Sequence, residues 1–241
     1  MGIDVNNKEV TFSNLHQKLV NTTITSNPTH ITLHNIQIYS IFRRIKSTDS
    51  NNDGNPLIYA LKGLKGYTIS KKELIKFVNH FDKILDKFLS DKNYDLIIAI
   101  PSKYKIPNII AKRINKKLPQ SMLHINFFEK CTINDILNSF DLNIVISKHT
   151  SIVKREISIL QASTNKNAYF TMKNVTDAKI RHYFKPLKIG HDIEISENTK
   201  ILLIDDLLST GSSLNCAKEI LLNKNKNLKI DGLCLLSSIF N

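Results

Sequence analysis

A pair of carboxylates, Asp205 and Asp206, runs into a stretch of small residues comprising Ser209, Thr210, Gly211, Ser212 and Ser213. Adjacent carboxylates accept hydrogen bonds from a sugar diol or offer hard oxygen ligands to hydrated Mg²⁺. A hydroxyl- and glycine-rich turn that opens a helix presents unpaired backbone N–H groups and the positive end of the helix dipole, which suits an anion. Two acids beside an anion site repel a bare phosphate, so they need a partner of their own. A ribose phosphate meets both demands, with its hydroxyls or a bound cation on the acids and its phosphate on the turn. The plainer alternative is an α/β strand that ends in Asp-Asp, with the serines serving as a helix cap.

The elements around this cluster follow from hydrophobic patterning. Ile201, Leu202, Leu203 and Ile204 form an unbroken apolar run, as expected of a parallel strand covered on both faces. Leu214, Ala217, Ile220 and Leu221 then recur at helical spacing. Upstream, Asp95–Pro101 reads as another central strand, Ser102–Lys105 as a polar turn, Pro107–Lys117 as a helix and Met122–Phe128 as a further strand, a unit whose crossover defaults to right-handed. Ser70 and Glu73 form a capping box before Leu74, Ile75, Phe77, Val78, Phe81, Ile84, Leu85, Phe88 and Leu89, a stripe assigned to core packing. Short β-prone runs occur at Thr29–Leu33 and Gln37–Phe42, and Ser47–Pro56 reads as a turn or exposed loop. Residues 134–190 read as a less regular stretch, and Gly232–Ile239 as a closing strand. The fold class is α/β, a parallel sheet flanked by helices over residues 61–241, with a β-containing N-terminal elaboration over residues 1–60.

At 241 residues, 41% hydrophobic and 23% charged, the composition is that of a soluble globular protein. No apolar stretch approaches membrane-spanning length, and Asp4, Lys8 and Glu9 are at odds with a secretory leader, so the expected compartment is the cytoplasm. Cys131, Cys216 and Cys234 lack metal-site spacing and read as buried reduced thiols. The formal charge is +13, and residues 60–130 concentrate it, with 15 Lys or Arg against 6 Asp or Glu. Such a field attracts a polyphosphate or nucleic acid, and a solvated lysine-rich surface gives the same numbers.

Residues 201–213 resemble the phosphoribosyl pyrophosphate (PRPP) signature of type I phosphoribosyltransferases: a hydrophobic strand, Asp-Asp, two apolar residues and a Thr-Gly loop. The resemblance implies that Asp205 and Asp206 hold the ribose hydroxyls and that Ser209, Thr210, Gly211, Ser212 and Ser213 hold the 5′-phosphate. It further implies a pyrophosphate loop at Ser102, Lys103 and Tyr104, with Lys103 or Lys105 neutralising oxyanions, and Mg²⁺ that enters with PRPP, no protein metal ligand being assigned. Lys154, Arg155, Lys173, Lys179, Arg181 and His182 fall where the family places a mobile loop, with Lys154, Arg155 and Arg181 the preferred candidates.

Topological resemblance extends over residues 57–241, and its specific part is the thirteen-residue signature. Within the family the chain is most similar to the ComF-like branch, on the residues Ile58-Tyr59-Ala60-Leu61-Lys62-Gly63-Leu64-Lys65, Ile100-Pro101-Ser102, Asn108 and Asn167-Ala168-Tyr169-Phe170. It departs in lacking the Arg-Gly pair before that Asn and any cysteine in residues 1–60. Ser209 stands where purine-salvage members carry an Asp, and a hydroxyl cannot accept a base proton at neutral pH, which disfavours a hypoxanthine-guanine enzyme. The implied function is binding of PRPP with Mg²⁺, or of a ribose-phosphate nucleotide, with phosphoribosyl transfer to a nitrogen acceptor if the protein is catalytic. Two alternatives stay open: a non-catalytic protein of this fold acting with nucleic acid, a protein partner or a second copy in DNA uptake or phage defence, and an effector that attacks a nucleotide or nucleic acid through the same ribose-phosphate site.

Overall fold

The computed structural model describes residues 1–45 and 55–240. In chain order they form β1 (Gly2–Asn6), β2 (Glu9–Ser13), β3 (Val20–Asn21), β4 (Thr29–Leu33), β5 (Ile36–Ile45), α1 (Pro56–Lys62), β6 (Thr68–Ile69), α2 (Lys71–Leu89), β7 (Leu96–Ala99), α3 (Ile106–Lys117) and β8 (Met122–His124). Then follow β9 (Phe128–Lys130), α4 (Ile133–Ser139), α5 (Thr150–Gln161), β10 (Leu187–Ile189), β11 (Lys200–Leu207), α6 (Ser212–Lys224) and β12 (Lys229–Phe240).

The apolar runs of β7 and β11 become the middle of a seven-stranded mixed sheet ordered β3-β5-β12-β11-β7-β8, with β4 also paired to β5. The five strands from β5 to β8 are parallel, whereas β3 and β4 run antiparallel to β5. Successive side chains of a strand leave opposite faces. Ile97, Ala99, Leu202 and Ile204 accordingly join one core with α2 and α3. Leu96, Ile98, Ile201 and Leu203 join a second core with α6. Each face has its own cover, so neither needs polar alternation. The chain is therefore mixed α/β, a multi-strand sheet flanked by helices. Among the described residues, no helix is long and apolar enough to cross a membrane.

Several sequence expectations change in detail. The runs at 29–33 and 37–42 are strands, but β5 hydrogen-bonds in parallel to β12, so residues placed in the N-terminal elaboration belong to the main sheet. Most of the turn expected over 47–56 lies outside the described residues, although Asn55 is described and its side chain accepts the Leu57 N–H at 2.9 Å to cap α1. Ser70 caps α2 through the Glu73 N–H at 3.3 Å. The Glu73 carboxylate does not complete the expected box; it accepts from the Phe12 N–H at 2.8 Å and from Lys76 at 2.7 Å, tying α2 to β2. Ile75 points outward, 51% exposed, instead of joining the core stripe.

The strand expected over 122–128 stops at His124, and Phe128–Lys130 instead begins a two-stranded antiparallel ribbon with β10. This ribbon is the base of an insert with its own apolar centre, including Ile133, Val153, Phe170, Ile180 and Phe184. The less regular stretch thus contains the twelve-residue helix α5. A charged residue inside its packed face hid the pattern: Glu156 is fully buried and accepts from the Thr176 hydroxyl at 2.5 Å and from Arg155 at 3.2 Å.

Candidate functional site

The C-terminal ends of β7 and β11 lie side by side, and their connections depart in opposite directions. From β7 the chain passes through α3 to β8 on one side, and from β11 through α6 to β12 on the other. Such a reversal opens a crevice beyond the strand ends of an α/β sheet. Both helices that begin there are entered through a left-handed residue, Lys105 (φ 56°, ψ 9°) before α3 and Gly211 (φ 71°, ψ 7°) before α6. Neither has a side-chain cap, so the N–H groups of their first turns, which Pro107 lacks, have no side-chain acceptor.

Asp205 and Asp206 sit at this end of β11. By the alternation of the strand, Asp205 leaves on the α6 face and Asp206 on the face covered by α2 and α3. Asp206 is 7% exposed, and its Oδ2 accepts from Lys62 Nζ at 2.8 Å and from the Ser102 hydroxyl at 3.1 Å. One carboxylate therefore joins α1, the loop after β7 and the end of β11. Asp205 is half-buried and its Oδ1 accepts the Asp206 N–H at 2.7 Å. Burial and the adjacent Asp206 charge push the Asp205 carboxyl up to about 7, against the opposing pull of that N–H and of Lys62 and Lys130.

The turn after β11 is fastened from beneath and from one side. Leu208 is buried and its N–H bonds the Leu236 carbonyl at 2.9 Å, while Ser209 is exposed. Thr210 and Ser212 share a hydroxyl bond of 2.7 Å, and Ser213 is half-buried in the first turn of α6. The hairpin between β4 and β5 turns through His34 and Asn35, both left-handed (φ 52° and 56°). From its tip, His34 Nε2 donates to the Thr210 carbonyl at 3.1 Å, and Lys218 Nζ holds the His34 carbonyl at 2.7 Å. A Cβ on Gly211 would lie 2.7 Å from Leu33 Cδ2, the end of a half-buried side chain that can shift, so it is the left-handed conformation that calls for glycine there.

The other candidates divide. Ser102 reaches the aspartates directly. Tyr104 stands nearby with its ring 5.4 Å from Lys62 Nζ, while Lys103 is exposed and 5.8 Å from the same ring. Asn108, in the first turn of α3, has a buried Oδ1 without a hydrogen-bond partner. Lys154 is exposed on α5. Arg155, largely exposed, pairs with the adjacent Glu156 at 3.2 Å, and Arg181 Nε donates to the Val175 carbonyl at 3.1 Å. Lys62 reaches Asp206 and His34 reaches the Thr210 carbonyl, while Lys130 acts on Asp205 through its charge alone. Lys62 had a signal, since it lies within the 58–65 segment of the resemblance; the other two had none.

A separate groove of about 590 Å³, lined by Asp192–Ser196 and Lys224, lies where α6 ends, away from the tandem aspartates. No model of a known protein family matches the chain, and no curated protein matches it.

Proposed function

We propose that this chain is a phosphoribosyltransferase-like protein of the type I class that binds PRPP with Mg²⁺, or a ribose-phosphate nucleotide, where β7 and β11 end. The observation that carries this reading is the position of Asp205–Asp206, at a reversal of strand order between two uncapped helix N-termini. The acids suit sugar hydroxyls and the first turn of α6 suits a terminal phosphate. Lys62, Ser102 and the first turn of α3 suit a second anionic group.

Magnesium fits this arrangement as a companion of the ligand. Among the described residues no group of three or more His, Cys, Asp or Glu is placed to hold a metal ion. One carboxylate, with ligand oxygens completing the shell, matches the way Mg²⁺ binds. Asp206, on the face it shares with Lys62 and Ser102, would hold it, and it would neutralise charge on the ligand oxyanions. The chain's own contribution to a transfer reaction is to orient the sugar and to oppose the negative charge that develops on a departing diphosphate, the task suited to Lys62.

Calorimetry with Mg²⁺-PRPP tests the reading, comparing wild type with Asp205→Asn/Asp206→Asn. Saturable heat lost in the double variant is the expected result; equal heat, or none in the wild type, ends the proposal. Pyrophosphate release across a panel of nitrogen bases then separates a transferase from a binding protein of the same fold.

A further inference from the structure

Lys62 is the last residue of α1, and the left-handed Gly63 turns the chain away immediately after it. Its ammonium and the Asp206 carboxylate form a largely enclosed pair, with side chains 15% and 10% exposed. The same Oδ2 also accepts from Ser102, so two donors already occupy an oxygen with two lone pairs. A divalent cation approaching Asp206 therefore meets a fixed positive charge a hydrogen bond away and finds one oxygen engaged. A lysine stem is flexible enough to redirect its ammonium without backbone movement, and the Tyr104 ring offers a face beside it.

We propose that Lys62 sets the ligand specificity of this site by excluding free divalent cations from the tandem aspartates until an anionic ligand takes over its ammonium. The inference rests on the reading above only for what displaces the lysine, an oxyanion-bearing sugar phosphate. Transfer of the ammonium from carboxylate to phosphate oxygens conserves a charge-assisted bond, while Asp206 becomes free for the cation that accompanies the ligand. Cation and anion binding are thereby coupled through one side chain, and a cation without an oxyanion gains nothing at this site.

The test uses the full chain, with Mn²⁺ as a spectroscopic probe and inorganic pyrophosphate as the oxyanion. Wild type is expected to bind Mn²⁺ alone weakly. Lys62→Met should bind it about tenfold more tightly, and Asp206→Asn in the Lys62→Met background should remove that gain. Metal-free pyrophosphate should bind wild type about tenfold more tightly than Lys62→Met. Circular dichroism establishes that each variant is folded, and Lys62→Ala replaces Lys62→Met if the latter is not.

Tight Mn²⁺ binding by wild type that Asp206→Asn abolishes overturns the proposal without any lysine variant. A gain that survives Asp206→Asn overturns it too, as does pyrophosphate affinity unchanged by loss of Lys62. If these results are as expected but Mg²⁺-PRPP produces no heat in wild type, the lysine's role stands and the donor reading falls. If Mg²⁺-PRPP binds while Lys62→Met leaves Mn²⁺ affinity unchanged, the reverse holds.

Discussion

The Ser102 hydroxyl donates to Asp206 Oδ2 across 3.1 Å, joining the loop after β7 to the end of β11. The two residues are 104 positions apart in the chain, and the parallel pairing of Leu96–Ala99 with Ile201–Ile204 brings them together. Because the hydroxyl and Lys62 share that oxygen, Ser102 helps to fix where the carboxylate points. Ser102→Ala leaves the ion pair in place and removes one donor. The expected result is a loss of about 0.5–1.5 kcal/mol in ligand affinity by calorimetry, with little change in melting temperature.

Asp205 makes the stability of the protein depend on pH in a defined direction. Its carboxyl is raised to about 7 in the fold, by burial first and by Asp206 second. Between the ordinary carboxylate range and that value the native state holds a proton that the unfolded chain has released. Its stabilising contribution is therefore complete below pH of about 4 and is lost as pH rises through about 7. Asp205→Asn removes this dependence and keeps an oxygen for the Asp206 N–H. The variant should gain about 1–3 kcal/mol over wild type at pH 8, the full value being reduced by partial exposure, and little at pH 4. Denaturant melts at the two values check this. Ligand binding that uses the ionised Asp205 should strengthen in wild type as pH rises through the same range.

Gly211 is held at φ 71° with Leu33 packed against it. Gly211→Ala introduces left-handed strain of about 1–2 kcal/mol and a methyl group in contact with the Leu33 side chain. The Leu33 side chain would have to shift, and the His34 ring, 3.4 Å from the new Cβ, is the neighbour whose bond to the Thr210 carbonyl would be disturbed. Lower thermal stability and weaker phosphate affinity should appear together, the second measured by titration with inorganic phosphate. Loss of stability with unchanged phosphate affinity would separate the glycine from the ligand site.

How much of this could be read from sequence depends on the range of the interactions. The strand at 201–204 was legible because burial on both faces removes polar alternation, and α2 because Ser70 caps it locally. The placement of Asp205 and Asp206 before a tight turn was legible for the same local reason. Lys62 lies far from Asp206 in sequence, and only the topology supplies their contact. His34 likewise owes its place to a hairpin packed against α6. Helix α5 was missed because the buried, satisfied Glu156 interrupts the apolar stripe that identifies a core-facing helix. The expectation that Arg155 and Arg181 serve a mobile loop comes from position alone; their local contacts, to the adjacent Glu156 and to the Val175 carbonyl, depend on an insert that the sequence pattern does not show.

The three cysteines test whether the cores are closed. Cys131 is 6% exposed, Cys216 4% and Cys234 fully enclosed, and all three are free thiols. Burial pushes the Cys131 thiol up to about 11 and the Cys216 thiol up to about 12; Cys234 rises well above the ordinary range from burial, with the Asp205 and Asp206 charges adding to it. Thiolate is the reactive form, so both access and ionisation oppose attack. At pH 8 a disulfide-exchange reagent should titrate no rapidly reacting thiol in the native protein and three after denaturation. Because Cys131 belongs to the core of the insert and the other two to the sheet face under α6, the order of labelling under partial denaturation reports which core opens first. Early labelling of Cys131 alone is expected if the insert opens independently of the sheet, and simultaneous labelling of all three would show that the two cores unfold as one.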